Sequence, residues 1–415
     1  MSIENNIPNG WVETTLGKII DIKHGFAFKG QFISLEPNNN ILVTPGNFKV
    51  GGGFKSDKFK YYSGDIPKDY ILKPNDVIVT MTDLSKEGDT LGFSAKVPNG
   101  DSQYLHNQRI GLVEFINAEF DEEFIYWFLR TSHYQKSMVN SATGSTVRHT
   151  SPNRIKEYNF YCPQYQEQVA IAKILTTFDD KIELLQAQNK TLETTAQTLF
   201  KEWFGKYQIG DALPEGWRVG KLGEVVESTS GGTPSRKNDS FYINGKYNWV
   251  KSKELKGTFI IETEEKITEE ALEKSSAKLF PSNSILIAMY GNTVGEYALV
   301  SKPMTCNQAV CALIPNEKIP FTYLFFLIKS LKIEFINNAI GSAQQNISQV
   351  LIKNTDIIYS ELLISKFHSV SKPLMDKVLL NVEQIQTLKQ TRDTLLPKLM
   401  SGQLRVDAFK EGSLC

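Results

Sequence analysis

The stretch LPEGWRVGKLGE, Leu213 to Glu224, stands in mid-chain yet reads like the opening of a domain. Near the N-terminus IPNGWVETTLGK, Ile7 to Lys18, is a close copy of it. Gly10, Trp11, Leu16 and Gly17 recur as Gly216, Trp217, Leu222 and Gly223, at one constant offset of 206. Later marks also repeat. LHNQRIGLVEF (105–115) matches TCNQAVCALIP (305–315), each with Asn-Gln before an apolar run. DVIVTMT (76–82) matches SILIAMY (284–290), β-rich runs that suit buried strands. ATGST (142–146) matches AIGSA (339–343), a Gly-Ser turn after an expected helix. Offsets that drift from 206 to about 197 mean loops of different length on a common frame.

Each half closes with a different texture. Glycine and proline vanish between Gln164 and Phe204, and the apolar residues step by four and three: Phe178, Ile182, Leu185, Asn189, Leu192, Ala196, Leu199, Trp203. A second copy, offset by 196, reads Leu374, Val378, Asn381, Ile385, Leu388, Arg392, Leu395, Leu399. A period of 3.5 sustained in this way is a coiled-coil seam. The repeat predicts a first long helix from near Thr177, after a separate short helix holding Gln166–Ala170. Pro373 is expected in the first turn of the second, where its missing N–H costs little.

A duplication sets a pseudo-twofold axis between the halves, and that axis makes the two helices antiparallel. The expected fold class is α+β: two globular domains joined by two long helices that form an antiparallel coiled coil. The segments are 1–163 (first domain), 164–208 (central helical region), 209–360 (second domain) and 361–415 (C-terminal helical region). An axis midway between positions 185 and 189 brings Asn189 opposite Asn381. The same register puts Arg392 level with Phe178, to snorkel outward or lie over the ring.

Composition narrows the function. At 415 residues, 41% hydrophobic and 11% aromatic, the chain can bury two or three cores. No apolar run is long enough to span a bilayer, and MSIENNIPNG lacks signal-peptide character, so a cytoplasmic protein is expected. Cys162, Cys306, Cys311 and Cys415 show no metal-ligand spacing. No GxxxxGK phosphate loop, GxGxxG or HExxH occurs, no two prolines are adjacent, and no nucleophile–base constellation stands out. A non-catalytic chain is expected, with no metal and no cofactor of its own. The acidic stretches Asp121–Glu123 and TEEKITEE (263–270) read as solvated helix faces. Net charge is zero, from 46 basic and 46 acidic residues, and neither half is basic. Nucleic-acid contact must therefore come from local patches or from partners that add positive charge.

Such patches recur at matching places. In the first half they are Lys23–Phe26 with Lys23 and His24, Thr44–Asn47 with Thr44 and Asn47, Thr82–Ser85 with Thr82, and Thr146–His149 with Arg148 and His149. In the second they are Ser230–Lys237 with Thr233, Ser235, Arg236 and Lys237, then Lys251–Lys253 with both lysines. Tyr290–Thr293 with Asn292 and Thr293, and Ala343–Ser348 with Gln344 and Gln345, complete the set. Arg, Asn and Gln can pair with base edges, while Ser, Thr, Lys and glycine N–H groups hold phosphates. The frame residues repeat but these differ, as expected of two equivalent domains that read different targets.

The whole chain resembles the DNA-specificity (S) subunit of type I restriction–modification systems. The resemblance rests on Gly-Trp with Leu-Gly five residues on, Gly231–Ser235 (GGTPS), Asn107–Gln108 and Asn307–Gln308, and PQYQEQVAIAKIL (163–175). The first half departs from the Gly-Gly-Thr-Pro-Ser loop, with HGFAF (24–28) in its place, and the second has SKFHSV (365–370) where Glu-Gln-xx-Ile is expected. The resemblance implies that each target-recognition domain reads one half of a bipartite, asymmetric double-stranded DNA site. The helices set the spacing and dock two modification (methyltransferase) subunits, which bring S-adenosylmethionine and flip the target adenine for N6-methylation. Two restriction (motor-nuclease) subunits complete the complex. The alternatives are a fused, self-sufficient methyltransferase or nuclease remnant, which methylation by the isolated chain would reveal, and a tandem coiled-coil scaffold that never shifts DNA.

Overall fold

The computed structural model describes residues 7–144, 146–339 and 345–406. The chain gathers into two compact units: one runs to Lys181 and resumes at Leu388, and the other spans Ile182–Thr387. Each long helix is divided between the units.

The first unit carries β1 (Val12–Thr15), β2 (Ile20–His24), β3 (Asn40–Val43), β4 (Val77–Thr80), β5 (Ser94–Lys96), β6 (Gln103–His106), β7 (Ile110–Phe115), α1 (Glu122–Phe128) and β8 (Asn159–Cys162), followed by α2 (Tyr165–Phe204). One sheet has the order β2-β7-β4-β5, all antiparallel. In another, β6 runs parallel to β3, with His106 beside Val43. Strand β4, VIVT, is buried along its whole length, as its continuous apolar run requires. Helix α1 starts at Asp121, whose carboxylate accepts a hydrogen bond from Phe124 N, and buries every residue from Phe124 to Phe128. Asp121–Glu123 is therefore a helix cap rather than a solvated face, and Glu123 pairs with Lys96. The core of this unit includes Ile171 and Leu175 of α2 and Leu396 and Leu399 near the chain's end.

The second unit repeats the plan with β9 (Arg218–Lys221), β10 (Glu227–Ser230), β11 (Tyr247–Val250), β12 (Ile285–Ala288), β13 (Tyr297–Val300), β14 (Thr305–Cys306), β15 (Val310–Ile314), α3 (Phe321–Asn337), β16 (Asp356–Tyr359) and α4 (Glu361–Met400). Its main sheet has β15 between β10 and β12, with β13 next, and β14 runs parallel to β11. The repeated opening now has a physical reason. Gly10 and Gly216 sit at φ +82° and +83°, a region costly for other residues, in turns closed by Trp11 N to Pro8 O and Trp217 N to Pro214 O. The strands that follow, β1 and β9, pair with β8 and β16, which directly precede the long helices. Leu16 and Leu222 then drop fully into the core. The motif starts each domain by pairing with the strand that ends it.

Three expectations about the helices are corrected. Helix α2 runs unbroken from Tyr165, with no separate short helix and no start near Thr177. Burial of Ile171, Ala172 and Leu175 in the first core holds its early turns in line. Helix α4 begins at Glu361, so Pro373 lies inside it. An interior proline costs about 3 kcal/mol, but Ile364 and Phe367 are buried before it, Phe367 against Phe200, Trp203 and Phe204. Arg392 neither snorkels nor covers Phe178: in the first unit it pairs with Asp179 and with Asp393. Asp179 also takes the guanidinium of Arg130 at 2.7 Å, whose side chain is only 3% exposed. Burial alone would raise the Asp179 carboxyl, but the two arginines hold it below its ordinary value.

The seam is packed in both units. Ile182, Leu185, Val378 and Ile385 are buried, and Phe178, Leu192, Leu374 and Leu388 are partly so. In the second unit the helices run antiparallel, Asn189 meeting Asn381 and Phe200 meeting Phe367. Asn381 Nδ2 donates to Asn189 Oδ1 and to Gln188 Oε1, each at 2.8 Å. The Asn381 amide thus spends its donor on two acceptors of the facing helix while its buried Oδ1 has no protein partner, and this polar contact in an otherwise apolar stripe sets register as a seam asparagine can.

Candidate nucleic-acid interface

In the first unit the polar segments converge on one rim, at the ends of β2, β3, β4 and β6. Phe26 N donates to His106 O at 2.8 Å, and Gln108 N to Phe26 O at 2.9 Å. The turn after β3 follows the strand parallel to β6. Met81 N donates to Arg109 O and Thr150 N to Met81 O, both at 3.0 Å, so that 82–83 and 148–149 form a short ladder.

The second unit repeats most of these contacts. Gly232 N donates to Cys306 O at 2.9 Å and Asn307 N to Val250 O at 3.0 Å. Met289 N donates to Ala309 O at 2.8 Å and Ile347 N to Met289 O at 2.9 Å. Tyr290 bridges Asn346, and Gly291 N donates to Gln345 O at 2.9 Å. The loop HGFAF departs from GGTPS in side chains but keeps a glycine where the backbone demands one. A Cβ on Gly25 would lie 2.1 Å from Asn107 O, and on Gly231 2.1 Å from Cys306 O.

Individual side chains divide. His24, His149, Thr233, Ser235, Arg236, Lys237, Lys253, Asn292 and Gln345 are exposed on the rim. Lys23 is partly buried, donating to Asp69 O at 2.9 Å over the Tyr70 ring. Arg148 is partly buried too and donates to Lys86 O at 2.7 Å. Thr293 turns back on Tyr290 O, and Thr233 bonds Gln308. Gln344 lies outside the described residues.

Two expected contact residues are corrected. Asn47 is 1% exposed. Its amide donates to Lys55 O and Lys58 O and accepts from Thr44, so it builds the turn. Thr82 is 3% exposed, between Met81 and the buried Asp83, with its hydroxyl on His149 Nδ1 at 3.1 Å. Thr44 caps the same short 3-10 turn as Asn47, and Lys251 caps the matching one through Glu254.

Other residues of the site escaped sequence reasoning. Glu265, in the acidic run read as a solvated face, precedes a two-residue strand and takes both Arg236, at 2.6 Å, and Lys251. Trp249 and Tyr242 flank Arg236, their ring centroids 4.9 and 4.3 Å from its guanidinium carbon. The one available signal was an aromatic residue preceding a lysine at Trp249–Lys251, too common to single out. In the first unit His106 is 1% exposed, and burial pushes it down to about 4. Its Nε2 lies 2.8 Å from Ile110 O, while Nδ1 has no partner. At the matching place Cys306 Sγ lies 3.7 Å from Val310 O. The described residues hold no cluster of metal-ligating side chains, and no helix among them is long and apolar enough to cross a membrane.

Comparison with known proteins agrees with this duplicated arrangement. The "type I restriction modification DNA specificity domain" model matches residues 8–194 and again 214–362. The MjaIX specificity subunit of Methanocaldococcus jannaschii is 30% identical over 305 residues, 69% of either chain. The HindI specificity subunit of Haemophilus influenzae is 23% identical over 402 residues, 77% of this chain and 87% of its own. A crystal structure of a type I restriction–modification S subunit from M. genitalium has a TM-score of 0.60 at 19% identity, covering 96% of this chain and 98% of its own, a likeness of fold. With the family model matched twice across most of its length, this chain belongs to the type I restriction–modification DNA-specificity family.

Proposed function

We propose that the chain is the non-catalytic specificity subunit of a cytoplasmic type I restriction–modification complex, each rim reading one half of a bipartite, asymmetric duplex site. The observation that supports this most is the recurrence of four segments at the same end of each frame, joined by largely the same backbone contacts, with different side chains in the two copies. A conserved frame that presents unlike polar groups is what two readers of unlike sequences need. The long helices hold the two domains at a set spacing and offer their exposed faces to two methyltransferase subunits. Those subunits carry S-adenosylmethionine and methylate a flipped adenine. Two motor-nuclease subunits act on unmodified DNA. Within this chain the residues bind and orient; none performs chemistry.

Mapping N6-methyladenine in cells with and without the chain tests the proposal. The expected result is one asymmetric motif of two short halves around an unspecified spacer, present only with the chain. A motif that persists in its absence, or that has no spacer, would overturn it.

A further inference from the structure

We infer that Glu265 is a positioning residue that determines specificity at the second rim, by locking Arg236 and Lys251 into one fixed array. The inference rests on the proposed DNA-reading function and deepens it. Arg236 lies near the end of the loop 230–237, which is pinned at two points: Trp249 Nε1 donates to Gly232 O at 3.0 Å, and Tyr242 Oη to Pro234 O at 2.6 Å. The same two rings, edge to face with each other, form a corner against which the Arg236 guanidinium lies. Glu265 Oε2 sits 2.6 Å from Arg236 Nη1, while Oε1 takes Lys251, at the cap of a different rim turn. One carboxylate thus ties together two of the segments that meet at the strand ends.

The carboxylate is charged. Burial would raise it, but Arg236 and Lys251 outweigh burial and hold it below the ordinary range. Arg236 stays 52% exposed on its side chain, fixed yet open to a ligand. A guanidinium held by rings and a carboxylate has lost its rotamer freedom before DNA arrives, which favours geometric readout of a base edge over loose phosphate contact. Among the described residues the first rim shows no such lock. Its loop 24–28 packs by rings, Phe26 on Phe28 and Tyr70, and Phe28 on Tyr62.

The test is methylation of a randomised site library by the assembled methyltransferase carrying Glu265→Gln, Arg236→Lys, both, or Glu270→Gln. Glu270 pairs with Lys274 on an exposed helix and serves as the control. Glu265→Gln should lower discrimination about tenfold at one position of the second half-site and leave the first half-site unchanged. Arg236→Lys should relax the same position, and the double variant should be no worse than either. Glu270→Gln should match the wild type. Unchanged discrimination in Glu265→Gln, or equal loss in both half-sites, would overturn the inference. A wild-type enzyme that shows no bipartite preference would instead sink the function on which it rests.

Discussion

The two units share one frame and fasten it differently. In the first, the loop after β2 is held by phenylalanine and tyrosine rings, and a buried ion pair joins Arg130 at the end of α1 to Asp179 of the long helix. In the second, the matching loop is held by cation–π contacts and Glu265. There Lys329, at the place of Arg130, lies over Phe326, and Glu193 of the long helix, although charge-coupled to Lys329, is raised by burial. Both line an open cavity of about 460 Å³ with Asn189, Thr258, Val382 and Ile385. Backbone geometry therefore carries what the halves have in common, and side-chain electrostatics carry what distinguishes them. Zero net charge fits this division. At the second rim Arg236, Lys251 and Lys253 each face a glutamate, so no bulk positive field builds up there.

Exchanging residues 1–163 for the corresponding domain of a relative presses hardest on this comparison. If the frame is common and the rims are independent, one half-site changes completely and the other stays as it was. Methylome sequencing reads both halves at once, and joint alteration would show that the rims are coupled.

Removing the fastening peculiar to the first unit should be the next largest effect. Asp179→Ala leaves Arg130 buried without a counter-charge and Arg392 with Asp393 alone, at a cost of about 3 kcal/mol. A urea midpoint close to that of the wild type would show that Arg130 finds another partner.

His106 and Cys306 occupy one frame position with different titration. The His106 ring is held neutral, down to about 4 in the folded chain against an ordinary 6.5. Above pH 6.5 neither state gains a proton there; below it, only the unfolded chain does. Stability should therefore fall as pH drops from 6.5 towards 4, by up to about 3 kcal/mol. In His106→Cys, which copies the second unit, that part of the pH dependence should vanish when urea midpoints are compared across the window. An identical slope in the two proteins would assign the acid sensitivity elsewhere.

The smallest expected effect lies on the seam. Asn189→Leu takes one of its two acceptors from the Asn381 amide, leaving Gln188, and should cost roughly 1–3 kcal/mol. Asn189→Leu with Asn381→Leu should recover most of that loss while loosening register, seen as tolerance for half-site spacers one base pair longer or shorter. A double variant as strict as the wild type would show that the apolar seam alone sets the spacing.

Much of this was legible in the residues. A duplicated Gly-Trp…Leu-Gly, a duplicated Asn-Gln and two heptad runs define two equal domains and two long helices, because turns, buried strands and seams are local patterns with fixed periods. The pairing of Asn189 with Asn381 follows from the same arithmetic. The grouping of the polar segments was not legible, since the fourth of each half follows a helix and is brought to the strand ends only by the fold. Tertiary structure alone decided which polar side chains are free. Asn47 and Thr82 look like DNA contacts in sequence and are spent on the fold. Glu265 looks like a solvated charge and holds two cations. Pro373 looks like a helix start and is carried inside a helix by the burial of Phe367. In each case the outcome turned on partners that the chain brings from far along its length: burial and charge pairing depend on three-dimensional neighbours, whereas periodicity and turn chemistry depend only on adjacent residues.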